Sequence, residues 1–166
     1  MNFCTILNNL KSPQNVGMIV RSHIAYGGKI LIFTGQELPW KFKKGSQAFS
    51  RKLERQCNIM HIPLQADVLD WCKEKEYASI AIEIKENPTY LDKFSFPDKC
   101  AIIVGNEGTG LDKDFLSRCN HVLTVPQYGN VGSLNVAVSA SIAMYEFNRG
   151  RKKSVISGTK YIESKV

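Results

Sequence analysis

The chain has 166 residues, 43% hydrophobic and 22% charged, a composition that fits one globular domain with a sizeable core. No apolar run is long enough to span a bilayer, and residues 1–7 lack the basic start and cleavage site of a secretory leader, so a cytoplasmic protein is expected. Five scattered cysteines without C-x-x-C and three dispersed histidines signal neither a disulfide framework nor a metal site, while a net charge of +7 suits a polyanionic partner such as nucleic acid.

Apolar runs of strand type alternate with helical patterns along the chain. Residues 3–7 read as a strand. Residues 13–26 read as a helix: Ser12 can cap it, Pro13 suits its first turn, Val16, Ile19, Val20 and Ile24 keep helical spacing, and Gly27-Gly28 ends it. A strand over 29–34, a helix over 46–56 and a short strand over 58–62 follow. Residues 66–75 form a helix by pattern, with Val68, Leu69 and Cys72 on one side, and 78–84 a strand. Residues 85–97 read as loop with room for one helical turn. Then come a strongly apolar strand over 100–104, a short helix over 112–118, a strand over 121–125 and a final helix over 133–148. This alternation predicts an α/β fold, a mostly parallel sheet flanked by helices on both faces. Ligands of such sheets gather at the carboxyl ends of strands, where the loops 8–15, 105–111 and 126–135 are expected to converge.

The loop Gly105-Asn106-Glu107-Gly108-Thr109-Gly110-Leu111 puts three glycines directly after a buried strand. Its order is not that of a dinucleotide turn, and no Walker lysine follows. Glu107 would repel a pyrophosphate. It suits a ligand with a cationic or hydroxyl-rich portion, or else a tight turn in which the carboxylate caps a helix. The later loop delivers Ser133 and Asn135 to a helix entrance beside exposed backbone N–H groups. In the first helix, Gly17 costs about 1 kcal/mol relative to alanine, which close packing would justify. Asn15 and Arg21 are separated by about 9 Å of rise and about 120° of turn, so they do not form one local pair. Arg21 is directed at another element, another subunit, a ligand phosphate or a surface ion pair. Basic residues cluster at Lys41, Lys43, Lys44, Arg51, Lys52 and Arg55, with Trp40, Phe42 and Phe49 among them, and again at Arg149, Arg151, Lys152 and Lys153. Each cluster reads as a nucleic-acid surface or as a solvated face.

Three blocks occur in order: N-x-G-x-x-x-R (Asn15, Gly17, Arg21), G-N-E-G-x-G-L (Gly105 to Leu111) and P-x-x-G-x-x-x-S-L-N-V-A-V (Pro126 to Val138). Together they closely resemble the SpoU/TrmH-type RNA ribose 2′-O-methyltransferases of the SPOUT superfamily, over a single domain of residues 1–149 followed by a basic, flexible tail, 150–166. The resemblance implies a deep C-terminal trefoil knot running from about the second block through the final helix. It implies S-adenosyl-L-methionine as cofactor, with adenosine contacts near Ile84, Gly105, Val125 and Leu134, and no metal. It implies a homodimer with the active site at the subunit interface, formed by Asn15, Arg21, Glu107, Ser133 and Asn135. RNA would be held by Arg21 and by Lys41, Lys43, Lys44 and Arg51, with tRNA favoured over rRNA. Gln127 stands where such proteins often carry Met, and Gly132 where many carry Glu. The alternatives are a non-catalytic RNA-binding protein of the same fold, or a methyltransferase acting on a base. A dinucleotide-dependent oxidoreductase is disfavoured by Glu107 and the missing G-x-G-x-x-G.

Overall fold

A computed structural model describes residues 2–35 and 56–149. The basic side chains of residues 41–55, the expected helix over 46–56 except its last residue, and the expected tail lie outside the described residues. Along the chain run β1 (Asn2–Asn8), α1 (Pro13–Ala25), β2 (Ile30–Thr34), β3 (Asn58–Ile62), α2 (Gln65–Glu74), β4 (Ala78–Ile82) and β5 (Thr89–Tyr90). A 3-10 turn (Leu91–Lys93) leads on to β6 (Lys99–Val104), α3 (Lys113–Arg118), β7 (His121–Thr124) and α4 (Val136–Asn148).

The strands form one parallel sheet in the order β3-β2-β1-β6-β4-β7-β5. Alternating side chains cover both faces, as parallel sheets require. Phe3, Leu7, Leu31, Ile80, Ile102 and Val104 pack with Val16, Ile19 and Val20 of α1 and with Ala137, Ala140, Ala143 and Phe147 of α4. Cys4, Ile6, Ile32, Ala81, Ala101 and Ile103 pack on the opposite face with Val68, Leu69 and Cys72 of α2 and Phe115 of α3. The three-layer α/β architecture expected from sequence is therefore present.

The strand order sets the position of the site. From β1 the chain departs towards β2, whereas from β6, its neighbour, it departs in the opposite direction towards β7. Adjacent strands whose continuations diverge leave a crevice at their carboxyl ends, the usual ligand position in open α/β sheets. The loops after β1 and β6 flank that crevice.

α1 and α4 lie side by side and in parallel, so both present their N-termini at this edge. Asn135 Nδ2 meets Asn15 Oδ1 at 3.0 Å, the Ser22 and Ser141 hydroxyls are 2.8 Å apart, and Asn148 Nδ2 donates to the Tyr26 carbonyl at 3.3 Å. Gly17 is buried within α1. Ser12 caps α1 by accepting from Asn15 N, Pro13 occupies its first turn, and Gly27, at φ +84°, follows its end.

Several boundaries differ from the sequence reading. α4 begins at Val136 rather than at 133, because the Asn135 side chain caps it and leaves Ser133 and Leu134 in the loop. β4 stops at Ile82, two residues early. The expected loop over 85–97 contains the edge strand β5 as well as the 3-10 turn; two exposed residues carry no periodicity to announce a strand.

Candidate active site

The three loops are tied together by one hydrogen-bonded relay. Asn135 Nδ2 donates to Asn15 Oδ1 at 3.0 Å, and Asn15 Nδ2 donates to Glu107 Oε1 at 3.0 Å. The Glu107 carboxylate also accepts from Ser12 N at 3.0 Å and from Lys11 N at 3.1 Å. Glu107 therefore grips the loop that opens α1 rather than capping a helix of its own segment. Its position at the α1 N-terminus is where a negative charge is favoured. Burial is the largest single influence on Glu107 and opposes its ionisation. The hydrogen bonds from Asn15, Lys11 N, Ser12 N and its own amide together outweigh burial and hold the carboxyl below its ordinary pKa. The tie is thus complete at neutral pH and is lost only in acid below the usual carboxylate range.

Asn135 has a double task. Its Oδ1 accepts from Ala137 N at 2.9 Å and Val138 N at 3.4 Å, capping α4, while its amide feeds the relay. Asn135→Ala is expected to lower stability by about 1 kcal/mol, the usual cost of a lost cap. Asn135→Ser keeps a capping oxygen but, like alanine, loses the amide donated to Asn15 Oδ1, so the difference between the two variants isolates the cap; Asn135→Ser is expected to be about 1 kcal/mol more stable than Asn135→Ala. Urea unfolding of both variants checks this; equal stability of the two would mean that Asn135 is not acting as a cap.

The loop after β6 is held from both sides. Asn106 Nδ2 donates to the Asn9 carbonyl at 2.7 Å, and Asn106 Oδ1 accepts from Gly108 N and Thr109 N. From the β4 end, Glu83 Oε2 accepts from Leu111 N at 2.9 Å and Oε1 from Ile84 N at 2.9 Å. Gly110 adopts φ +65°, and a Cβ there would fall 2.5 Å from Glu83 Oε2, so the bend demands glycine on both counts. Neither Glu83 nor Asn106 was singled out from sequence. Glu83 directly follows the apolar strand β4 and its partner Leu111 lies 28 residues away, so no local spacing marks it.

These ties enclose a cavity of about 440 Å³. Asn15, Glu107, Ser133 and Asn135 line it, and so do Ile84, Gly105, Val125 and Leu134. Ile82, Val104 and Leu134 offer apolar surface, and Gly105 to Gly110 of the loop after β6 form one wall. Ser133 is exposed at the rim, with no hydrogen-bond partner among the described residues. Arg21 stands apart: it is exposed on the outward face of α1, does not line the cavity, and makes no ion pair among the described residues. Lys41, Lys43, Lys44 and Arg51 lie outside the described residues. Among the described residues no His/Cys/Asp/Glu group is arranged to hold a metal ion, and no helix is long and apolar enough to cross a membrane.

A parallel three-layer sheet with a polar, glycine-built cavity at its switch point defines an α/β small-molecule-binding domain of the kind that serves enzymes. The chain belongs to the SpoU rRNA methylase family, whose model matches residues 2–145. It is 29% identical over 151 residues to the 23S rRNA (guanosine-2′-O-)-methyltransferase RlmB of Coxiella burnetii, covering 89% of this chain and 58% of that protein. Among solved structures it resembles the SpoU methyltransferase AviRb from Streptomyces viridochromogenes, in complex with AdoMet, at TM-score 0.70 and 23% identity over 89% of this chain and 57% of that one. It also resembles a structure described as giving insight into 2-OH methylation of C/U34 on tRNA, at TM-score 0.75 and 24% identity over 89% of both chains. The chain spans about half the length of the curated relatives it matches.

Proposed function

We propose that this protein is an S-adenosyl-L-methionine-dependent methyltransferase acting on the ribose 2′-hydroxyl of a structured RNA, with tRNA favoured over rRNA. The observation that carries this reading is the Asn135–Asn15–Glu107 relay, which joins three distant segments around one cavity. The residues present suit the donor: apolar walls for an adenine ring, glycine-rich backbone for its edge, and carboxylates with no basic side chain among the described lining residues to face a cation. When bound, the cofactor supplies an electrophilic methyl group on a sulfonium. The preference for tRNA draws on the neighbour described for tRNA, which matches this chain over 89% of both lengths.

The chain's own groups supply positioning and charge. Glu107 and Asn135 hold the two loops and the nucleotide edge. Ser133, free at the rim, accepts or donates to a substrate oxygen. Arginine does not release its proton in proteins, so Arg21 acts as a fixed cation. It binds the target phosphate and stabilises the alkoxide that develops as the 2′-hydroxyl proton leaves to that phosphate or to water.

A homodimer belongs to the same proposal. α1 and α4 share an outward face bearing Met18, Val138 and Tyr145, which are 51%, 40% and 51% exposed, beside Arg21. Covering this face with a second copy buries apolar surface and carries Arg21 towards a partner's cavity. The knot is likewise part of this proposal. It is supported by β6 inserting between the earlier strands β1 and β4, and by α4 returning across β6 and β4.

Transfer of labelled methyl from S-adenosylmethionine to total RNA, followed by mapping of methylated ribose, tests the function; incorporation into bases alone, or none, refutes it. Arg21→Lys is expected to lower kcat/KM for RNA about 100-fold with the donor KM unchanged, because lysine cannot form a bidentate phosphate contact. Near-full turnover in that variant would rule out the phosphate role.

A further inference from the structure

Two carboxylates line the cavity, Glu83 and Glu107, and none of the described residues lining it is a lysine, arginine or histidine. In a chain of net charge +7 this is the reverse of a phosphate site. The two carboxylates are differently committed. Glu107 is occupied by Lys11 N, Ser12 N and Asn15 Nδ2, and its negative charge faces the α1 N-terminus. Glu83 accepts one main-chain amide on each oxygen, from Ile84 and Leu111, and each oxygen keeps further acceptor capacity.

Glu83 is also fixed in place. Its backbone N–H donates to the Leu123 carbonyl at 3.0 Å, and its backbone carbonyl accepts from Thr124 Oγ1 at 2.7 Å, so β7 anchors its main chain. The loop after β6 closes over its carboxylate, with Gly110 so near that any side chain there would strike Oε2. A charge so placed needs no rearrangement to act on a ligand.

We infer that Glu83 is a ligand-binding residue that reads the positive charge of the methyl donor and so discriminates the sulfonium from the neutral thioether left after transfer. The inference rests on reading the cavity as the donor site. In the transfer the S–CH₃ bond breaks and an O–CH₃ bond forms. Sulfur keeps the bonding pair, and the hydroxyl proton leaves to phosphate or water. The bound molecule thereby loses one positive charge. A fixed carboxylate on the wall of the same cavity, at a dielectric between protein and water, favours the charged form about 5- to 10-fold. Glu83 thus strengthens donor binding and lets product leave.

Calorimetry on the full chain tests this with S-adenosylmethionine and S-adenosylhomocysteine as probes. The wild type is expected to bind the first about 5- to 10-fold more tightly. Glu83→Gln, which keeps an acceptor for Leu111 N but no charge, is expected to lose that preference, with affinity for S-adenosylhomocysteine changed less than about 2-fold. Glu83→Asp keeps the charge, shortens the reach to the loop, and is expected to retain most of the preference. Equal weakening of both ligands in Glu83→Gln, or loss of preference in a folded Glu83→Asp, would show that the residue only shapes the loop and would overturn the inference. Binding of neither ligand by the wild type would instead refute the donor site itself.

Discussion

Gly105→Ala is expected to reduce affinity for S-adenosylmethionine at least 100-fold and to lower stability by about 1–3 kcal/mol, the cost of forcing extra volume into a packed site. A Cβ on Gly105 would fall 2.5 Å from the Gly110 carbonyl carbon, 2.7 Å from its oxygen and 2.8 Å from Leu111 Cγ. Two of those atoms are backbone, and that backbone cannot retreat: Gly110 N donates to the Asn106 carbonyl at 2.9 Å and Leu111 N to Glu83 at 2.9 Å. Relief requires the whole bend to open, which removes the cavity wall. Gly129→Ala and Gly132→Ala serve as controls, because a Cβ at either meets nothing within 4 Å. They are expected to change stability by less than about 0.5 kcal/mol. Calorimetric titration and urea unfolding of the three variants read both effects; a Gly105→Ala protein that binds the donor normally would mean that the loop after β6 does not shape the pocket.

The second large effect concerns acid stability and lies away from the cavity. His23 is fully buried in α1, with Nδ1 2.9 Å from Thr5 Oγ1, the Phe3 ring at its edge and Gly28 pressed against the imidazole. Its Nε2 has no hydrogen-bond partner among the described residues. Burial lowers its pKa from 6.5 to about 4. The unfolded chain therefore takes up a proton as pH falls through 6.5, and the folded chain does not do so until about 4. Stability at neutral pH is unaffected; between pH 6.5 and 4 it falls by about 3 kcal/mol on this account. His23→Gln can still bond Thr5 but cannot titrate. Urea unfolding at pH 7 and pH 4 is expected to show a pH-dependent loss about 3 kcal/mol larger in the wild type than in this variant. Parallel losses in the two proteins would place the acid sensitivity elsewhere.

What could be read ahead of the structure was local or patterned. The apolar runs that became β1 and β6, the Ser12-Pro13 start of α1 and the three glycine- and asparagine-bearing loops are all features of adjacent residues. The convergence of those loops followed from the general behaviour of parallel sheets. The less legible features are tertiary. Glu83 is an ordinary strand-end residue until Leu111 and Gly110 are brought beside it. The insertion of β6 between β1 and β4 is a long-range pairing that no periodicity encodes. The sequence puts the start of α4 three residues early, because Ser133 and Asn135 are both good capping types and only the fold decides between them. In the sequence His23 is one of three dispersed histidines; its burial depends on Phe3 and Thr5 of β1 and on Gly28 after α1 meeting it in the fold.

The central claim is that three segments far apart in sequence build one pocket for a sulfonium methyl donor. A crystal structure of the protein with S-adenosylmethionine tests it most directly. The donor is expected between the loops after β6 and β7, with its adenosine against Ile84, Gly105, Val125 and Leu134 and the Asn135–Asn15–Glu107 relay intact. Donor bound at another surface, or excluded from a cavity that is open in the same crystals, would contradict it.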